Sequence, residues 1–237
     1  MSLLPGGLKA RLTRAAFLAL VAVPSILGLQ GCSEISVPVG NPERSRADPI
    51  LDGAWLASNP DESALLAFIE PYDKRSWLIW AVDLRRKKAE AEDETTGPPA
   101  DPAVLPGWLE QGDEDAYSLG PFKAWLTRLG GERFLVLQPM GQPSTQQGIG
   151  ADDWYVFRIE MRGNDAFDAS PVDADFQDLD KVTTSRAAEA IIRKNARNPA
   201  LYGVKPDSDD KQESIPFLRV PQSAYGAVRE LLKAPRD

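Results

Sequence analysis

Cys32 is the only thiol in this 237-residue chain, and the sequence contains no histidine. The missing histidine excludes Ser-His-Asp and Cys-His catalytic sites, and it excludes every metal site with an imidazole ligand. A single cysteine excludes an intrachain disulfide and a cysteine-based zinc site. An enzyme would therefore need acids, lysines or tyrosines with shifted pKa values in one cleft. We accordingly expect no cofactor and no bound metal.

Carboxylates are the remaining candidates for metal binding or catalysis, and four aspartates lie in residues 173–180, DADFQDLD. Several oxygen ligands together can bind a hard cation such as Ca²⁺. An EF-hand loop that began at Asp173 would need Gly and Glu where this chain has Asp178 and Thr184. The spacing therefore favours a solvated acidic loop. A hydrolase with two catalytic carboxylates stays an open alternative, because any two acids can meet in a fold.

The start of the chain has the pattern of a secretory signal peptide. Three basic residues, Lys9, Arg11 and Arg14, precede an apolar run over residues 15–29, and no acid occurs before Cys32. A membrane-spanning helix needs about 20 apolar residues. The run of 15 is shorter than that, so it indicates a cleaved leader and not a lasting membrane helix.

The leader ends in the sequence Leu29-Gln30-Gly31-Cys32, which resembles the lipobox of bacterial lipoproteins. The resemblance implies that residues 1–31 are a cleaved lipoprotein signal peptide. It also implies that Cys32 is diacylated on its sulfur by palmitate-type chains and acylated on its new terminal amine. Two or more chains hold a protein firmly on a membrane. By the sorting rule of that family, Ser33 implies the outer membrane of the cell envelope, with the domain facing the periplasm.

The chain is acidic, with a formal charge of −8 that becomes −11 when the leader is removed with its three basic residues. Nucleic acid is therefore not an expected partner, because phosphates need a basic surface. Anionic lipid also repels an acidic surface, so the acyl chains should make the membrane contact. Residues 32–49 are rich in Pro, Ser, Gly and charged residues. They predict an acylated cysteine followed by a flexible tether whose ends lie about 20–25 Å apart.

Residues 50–237 are predicted to form a single β-rich domain. Short apolar segments alternate with turn signals, and Gly130-Gly131 between two such segments predicts a tight hairpin. Residues 76–84, SWLIWAVDL, are apolar on both faces, so we expect this strand to be covered on both sides. The long stretch 86–115 has a net charge of −6 and is predicted to be a disordered acidic insertion.

Helical spacing is confined to two short segments, residues 185–197 and 222–234. No alternating strand–helix pattern is present, and this argues against a parallel sheet. The predicted fold is therefore mainly β: an antiparallel meander that closes into a barrel or a strongly curved sheet, with two short helices in the C-terminal half.

Two further segments resemble known groups of proteins. Gly53-Ala54-Trp55 is similar to the Gly-x-Trp that opens lipocalins and lipocalin-like barrels, in which the tryptophan closes the floor of the barrel. A core tryptophan on an ordinary antiparallel sheet is the alternative. Residues 122–139 resemble a stretch of uncharacterised proteobacterial lipoproteins, which implies a β-rich fold without a known activity.

The sequence thus favours a non-enzymatic, lipid-anchored envelope protein that acts as a protein-interaction or structural assembly module. Its expected partners are the membrane, through acyl chains on Cys32, and an envelope protein. The alternative is a lipocalin-like carrier of a small apolar ligand, and a hydrolase that uses carboxylates is less favoured. The candidate residues for the core or for the lining of a ligand cavity are Trp55, Trp80, Phe134 and Phe157.

Overall fold

Eight antiparallel strands close into one barrel, in which each strand pairs with the next in sequence and the last pairs with the first. The computed structural model describes residues 34–59, 63–86, 99–110, 114–140, 154–204 and 214–233. The prediction of a mainly β meander that closes into a barrel is confirmed. The strands are β1 (Gly53–Asn59), β2 (Ser63–Pro71), β3 (Trp77–Arg86), β4 (Glu114–Leu129), β5 (Glu132–Pro139), β6 (Tyr155–Met161), β7 (Ala166–Pro171) and β8 (Ile215–Arg219).

Helices pack on the outside of the barrel. The two helices predicted in the C-terminal half are present as α2 (Ser185–Asn195) and α3 (Gln222–Lys233), and α1 (Leu105–Glu110) lies in the stretch predicted to be disordered. The Thr184 hydroxyl caps α2 by accepting a hydrogen bond from the Ala187 amide at 3.3 Å. Short 3₁₀ turns occur at Pro42–Arg44, Pro49–Leu51, Phe176–Lys181 and Pro199–Tyr202.

The predicted hairpin at Gly130-Gly131 joins β4 to β5. Both glycines have a positive φ, +61° and +91°, as a two-residue turn of this kind requires. Gly130 also lies against the end of α2, where a Cβ atom would be only 2.6 Å from the carbonyl oxygen of Arg193 and 2.7 Å from the Cβ of Ala196. The absence of a side chain at Gly130 therefore allows α2 to pack on the hairpin.

Alternate side chains of each strand point into the barrel. On β3, Trp77, Ile79 and Ala81 belong to the inner core, whereas Leu84 packs on the outer face. This arrangement confirms that the strand is covered on both sides. The buried part of the inner core consists of Leu51, Trp55, Ala57, Ala67, Ile69, Trp77, Ile79, Ala81, Leu119, Phe122, Ala124, Leu135, Ile159, Phe167, Ala169 and Phe217.

The outer face of β1, β2 and β3 is covered by α1 and α3. Leu105 and Leu109 of α1 are buried in a cluster with Leu66 and with Val228 of α3. The prediction of disorder over 86–115 is therefore wrong for the part that the structure describes, because the average charge of the stretch concealed one apolar helical turn. Residues 87–98 and 111–113 of that stretch lie outside the described residues.

The outer face of β4, β5 and β6 is covered by α2 and by residues 34–52, which we call the strap. Ile35 and Val39 of the strap are completely buried, and the Val39 carbonyl accepts a hydrogen bond from Nε1 of Trp125 at 3.1 Å. The prediction of a flexible tether over 32–49 is thus wrong for residues 34–49. The alternating apolar residues of this short segment are stabilised by burial against the barrel, which overrides its turn-rich composition.

Gly130→Ala should destabilise the protein by roughly 1–3 kcal/mol, because the new methyl group would meet backbone and side-chain atoms of α2. Gly163→Ala is the matched control: Gly163 also has a positive φ, +92°, but a Cβ atom there would have no neighbour within 4 Å. Thermal melts of both variants measure the difference. Equal losses would show that backbone strain alone matters and that α2 does not press on the hairpin.

Candidate functional site

The two ends of the barrel are built differently. At one end, which we call the floor, lie the β2–β3, β4–β5 and β6–β7 hairpins. The end of the strap contacts the first two of these through Ala47 and Asp48. At the other end, which we call the mouth, the chain connects β1 to β2, β3 to β4, β5 to β6 and β7 to β8. A binding site inside the barrel must therefore be reached from the mouth if the floor is closed.

The floor is closed by aromatic side chains that bind to the strap. Leu51 lies under the barrel and is completely buried, and its carbonyl accepts a hydrogen bond from Nε1 of Trp55 at 2.8 Å. Nε1 of Trp77 donates to the Asp52 carboxylate at 2.8 Å. The ring of Phe167 packs edge-on against Trp55, with 4.8 Å between the ring centroids. This end of the interior is therefore filled and sealed.

Arg219 lies on β8, the last strand, and connects it to β1, the first strand, and to the strap at the floor. Its guanidinium lies 4.2 Å above the ring of Trp55, its partner in the β1–β8 register. It donates hydrogen bonds to the carbonyl oxygens of Asp52, at 2.6 Å, and of Ile50. Gly53 has a φ of +128°, and a Cβ atom there would be 3.0 Å from Nη1 of Arg219. The spacing of Gly53 and Trp55 is thus explained by the arginine that packs on them.

Inward side chains differ in how far they are buried. Trp55 and Trp77 at the floor are completely buried, whereas several inward side chains near the mouth keep accessible surface. The half-buried inward residues of the strands are Leu65, Leu137, Tyr155, Phe157 and Ile215 near the mouth, and Leu126 and Met161 near the floor.

Two polar residues lie among these apolar side chains. Ser63 and Asp83 are each only 2% exposed and lie on the neighbouring strands β2 and β3, where Ser63 is opposite Arg85 and Leu65 is opposite Asp83. Arg85 forms an ion pair with the Asp83 carboxylate at 2.7 Å, and its guanidinium lies 5.5 Å from the ring of Tyr117. The one sequence signal for this group is Asp83 itself, the single acid in an otherwise apolar strand segment, and it was not among the predicted site residues.

The structure places the four candidate lining residues on different sides of the barrel wall. Trp55 and Phe157 point inward. Trp80 points outward and packs on Phe68, with 6.1 Å between the ring centroids, and Phe134 is buried in the outer cluster beneath the strap. Of these candidates for the core or for a cavity lining, Trp80 and Phe134 therefore do not face the interior, and Phe134 is a residue of the outer core. Strands that are apolar on both faces give no periodicity from which the inward face can be chosen.

A second concave feature lies outside the barrel at the floor end. A groove of about 720 Å³ runs between the strap, the β4–β5 hairpin and α2. We call it the arginine groove. Its charged lining consists of Arg44, Arg46, Arg128, Arg133, Arg193, Asp48 and Glu189.

Only two of these five arginines are paired within the described part of the chain. Arg133 contacts the Asp48 carboxylate at 2.8 Å, and Arg193 contacts Glu189 at 3.5 Å. Arg44, Arg46 and Arg128 form no ion pair with any described residue. The groove therefore carries a local positive charge on a chain whose formal charge is −8.

The aspartates of residues 173–180 do not form a metal site. Asp178 pairs with Lys181 at 2.5 Å, and the described residues contain no group of three or more His, Cys, Asp or Glu placed to hold a metal ion.

Among the helices of the described ranges, none has the length and apolar character needed to cross a membrane.

Comparison with known proteins adds no functional assignment. No family model, no curated protein and no solved structure matches this chain.

Arg219→Met should destabilise the protein by about 2–4 kcal/mol, because it removes the ring contact and leaves two carbonyl groups at the floor without their donor. Arg162→Met is the control. Arg162 pairs with Asp168 at 3.0 Å and its side chain is 48% exposed, so its loss should cost less than about 1 kcal/mol. Chemical denaturation of both variants measures the two values, and a small loss for Arg219→Met would contradict its role in closing the barrel.

Proposed function

We propose that this protein is a non-enzymatic, lipid-anchored protein of the cell envelope, and that its barrel binds an acidic segment of an envelope protein in the arginine groove. The observation that carries the proposal is that three arginines of one groove in an acidic protein have no carboxylate partner among the described residues. The guanidinium group binds carboxylates through two parallel hydrogen bonds. At physiological salt, charges act over about 8 Å, so the local charge of the groove outweighs the net charge of the chain.

The groove is held in shape before any partner binds. The Ser45 hydroxyl donates to the Leu126 carbonyl at 2.8 Å and accepts from the Leu126 amide at 3.2 Å. The Gly40 amide donates to the Glu189 carboxylate at 3.2 Å. These contacts fix the strap against β4 and α2. Binding to a preformed groove avoids the cost of ordering its walls.

The position of the strap supports an orientation in which the groove faces away from the membrane. The strap begins near the mouth, where the Tyr155 hydroxyl donates to the Glu34 carboxylate at 3.0 Å, and reaches the floor at Leu51. Cys32 is two residues before Glu34. Even in a fully extended chain, their Cα atoms are therefore at most about 7 Å apart. An acylated Cys32 would therefore hold the mouth close to the lipid and leave the groove at the far end.

A specific observation also favours the carrier of a small apolar ligand as a second candidate function. Leu65, Phe157 and Ile215 point into the barrel near the mouth and are only half-buried, while the floor is sealed by Trp55. A cup of this kind, closed at one end and apolar inside, is the usual form of a barrel that holds one small ligand.

The triple variant Arg44→Gln, Arg46→Gln, Arg128→Gln should bind a fluorescently labelled oligoglutamate peptide at least about tenfold more weakly than the unmodified protein, because three unpaired guanidinium groups are lost. The measurement is a fluorescence anisotropy titration at two salt concentrations. The matched control replaces Arg162, Lys181 and Arg186, three cations outside the groove, with Gln. If both triple variants lose the same affinity, binding depends on overall charge and the groove is not the site.

The Cys32→Ala variant should lose all acylation, because the chain has no other thiol. Metabolic labelling with an alkyne-bearing palmitate, followed by electrophoresis, measures the attached chains. Ser33→Ala is the control and should be labelled like the unmodified protein. Labelling that persists in the Cys32→Ala variant would refute the lipid anchor at this residue.

A further inference from the structure

We propose that Ser63 and Asp83 form a hydrogen-bonding site inside the barrel for the polar head of a long-chain ligand, and that the head is neutral and bears a hydroxyl group. This inference rests on the carrier function proposed above. It adds the chemical class of the ligand and the position of its head.

The two side chains are placed to act together. Both face the interior, since Leu65 belongs to the inner core and lies directly opposite Asp83 and two residues after Ser63 on the same strand. Diagonal neighbours on the same face of paired strands lie about 7–8 Å apart at their Cα atoms. One small head group can therefore reach both side chains.

Each side chain has hydrogen-bonding capacity that the described residues leave unused. Nε and Nη2 of Arg85 both approach Oδ2 of Asp83, at 2.8 Å and 2.7 Å. Oδ1 of Asp83 and Oγ of Ser63 are buried and have no hydrogen-bond partner among the described residues. Native proteins leave few buried polar atoms unpaired, and each such atom destabilises the empty site. A ligand that supplies partners to both atoms would remove this penalty.

The chemistry of the two atoms selects the ligand head. A carboxylate oxygen only accepts hydrogen bonds, whereas a serine hydroxyl can donate or accept. A ligand hydroxyl can therefore donate to Asp83 and accept from Ser63. A second carboxylate at this position would be repelled by Asp83, and an ammonium group would meet a carboxylate already neutralised by Arg85. The half-buried residue Leu65 lies opposite Asp83 in the register, and Phe157 points inward from β6. Both would contact the chain of the ligand.

Photocrosslinking in membranes tests the inference on the full-length protein. The probes are a hexadecanol and a hexadecanoic acid, each with a diazirine and an alkyne in the chain, and mass spectrometry identifies the labelled peptides. We expect the alcohol to label peptides that carry Leu65 or Phe157 about three- to tenfold more than the acid does, which corresponds to the gain of one hydrogen bond.

Variants separate the polar site from the cavity itself. Ser63→Ala and Asp83→Asn should each reduce labelling by the alcohol about three- to tenfold. The matched controls Ser118→Ala and Asp168→Asn, at positions that are not part of the inner core, should leave it unchanged. Ser63→Ala removes a single oxygen atom and keeps the Asp83–Arg85 pair, so it reports on the site even if Asp83→Asn fails to fold.

Two results would overturn the inference in different ways. If alcohol and acid label the inward residues equally and neither variant changes this, the carrier function stands and the polar site is wrong. If neither probe labels an inward residue, the carrier function is wrong as well, and the two buried atoms bind only water.

Discussion

The guanidinium of Arg219 joins the three parts of the chain that must meet for the barrel to close. It lies on β8, packs on Trp55 of β1 and binds the strap through the carbonyl groups of Ile50 and Asp52. An arginine can do this because its planar group combines an aromatic contact with several donors in fixed directions. A lysine would supply a point charge without the ring contact. Arg219 thus adds the link to β8 to the contacts that Trp55 and Trp77 make with the strap at the floor.

The barrel is stabilised from outside as well as from within. The strap and α2 bury one set of outward apolar residues, and α1 and α3 bury another. These layers explain how inward residues near the mouth can remain half-buried without loss of the fold, because much of the apolar burial that stabilises the strands lies on their outer faces. A barrel with a bare outer wall would have to obtain that burial from a packed interior. The outer layers thus supply part of the apolar burial that a bare barrel would need from its interior.

The sequence predicted the features that depend on local chemistry. The Gly130-Gly131 turn and the helices α2 and α3 follow from turn residues and helical spacing, and the closed meander follows from the number of short strands. The strap and α1 were missed because a few apolar residues in polar surroundings become significant only when a partner surface exists. The arginine groove could not be found in this way, because Arg44, Arg128 and Arg193 come from three distant segments. Net charge conceals such a cluster, and only the folded chain brings it together.

The two candidate functions use opposite ends of the molecule and share no side chain. A ligand would enter at the mouth beside Asp83, and an acidic partner would bind beside Arg128 at the floor. The strap connects these ends, since Glu34 accepts a hydrogen bond from Tyr155 near the mouth and Asp48 pairs with Arg133 in the groove. Because the strap begins two residues after Cys32, an acyl anchor would orient both ends at once, with the mouth towards lipid and the groove away from it. Under the two proposed functions, occupancy of one end would leave the other accessible, because the two sites share no side chain.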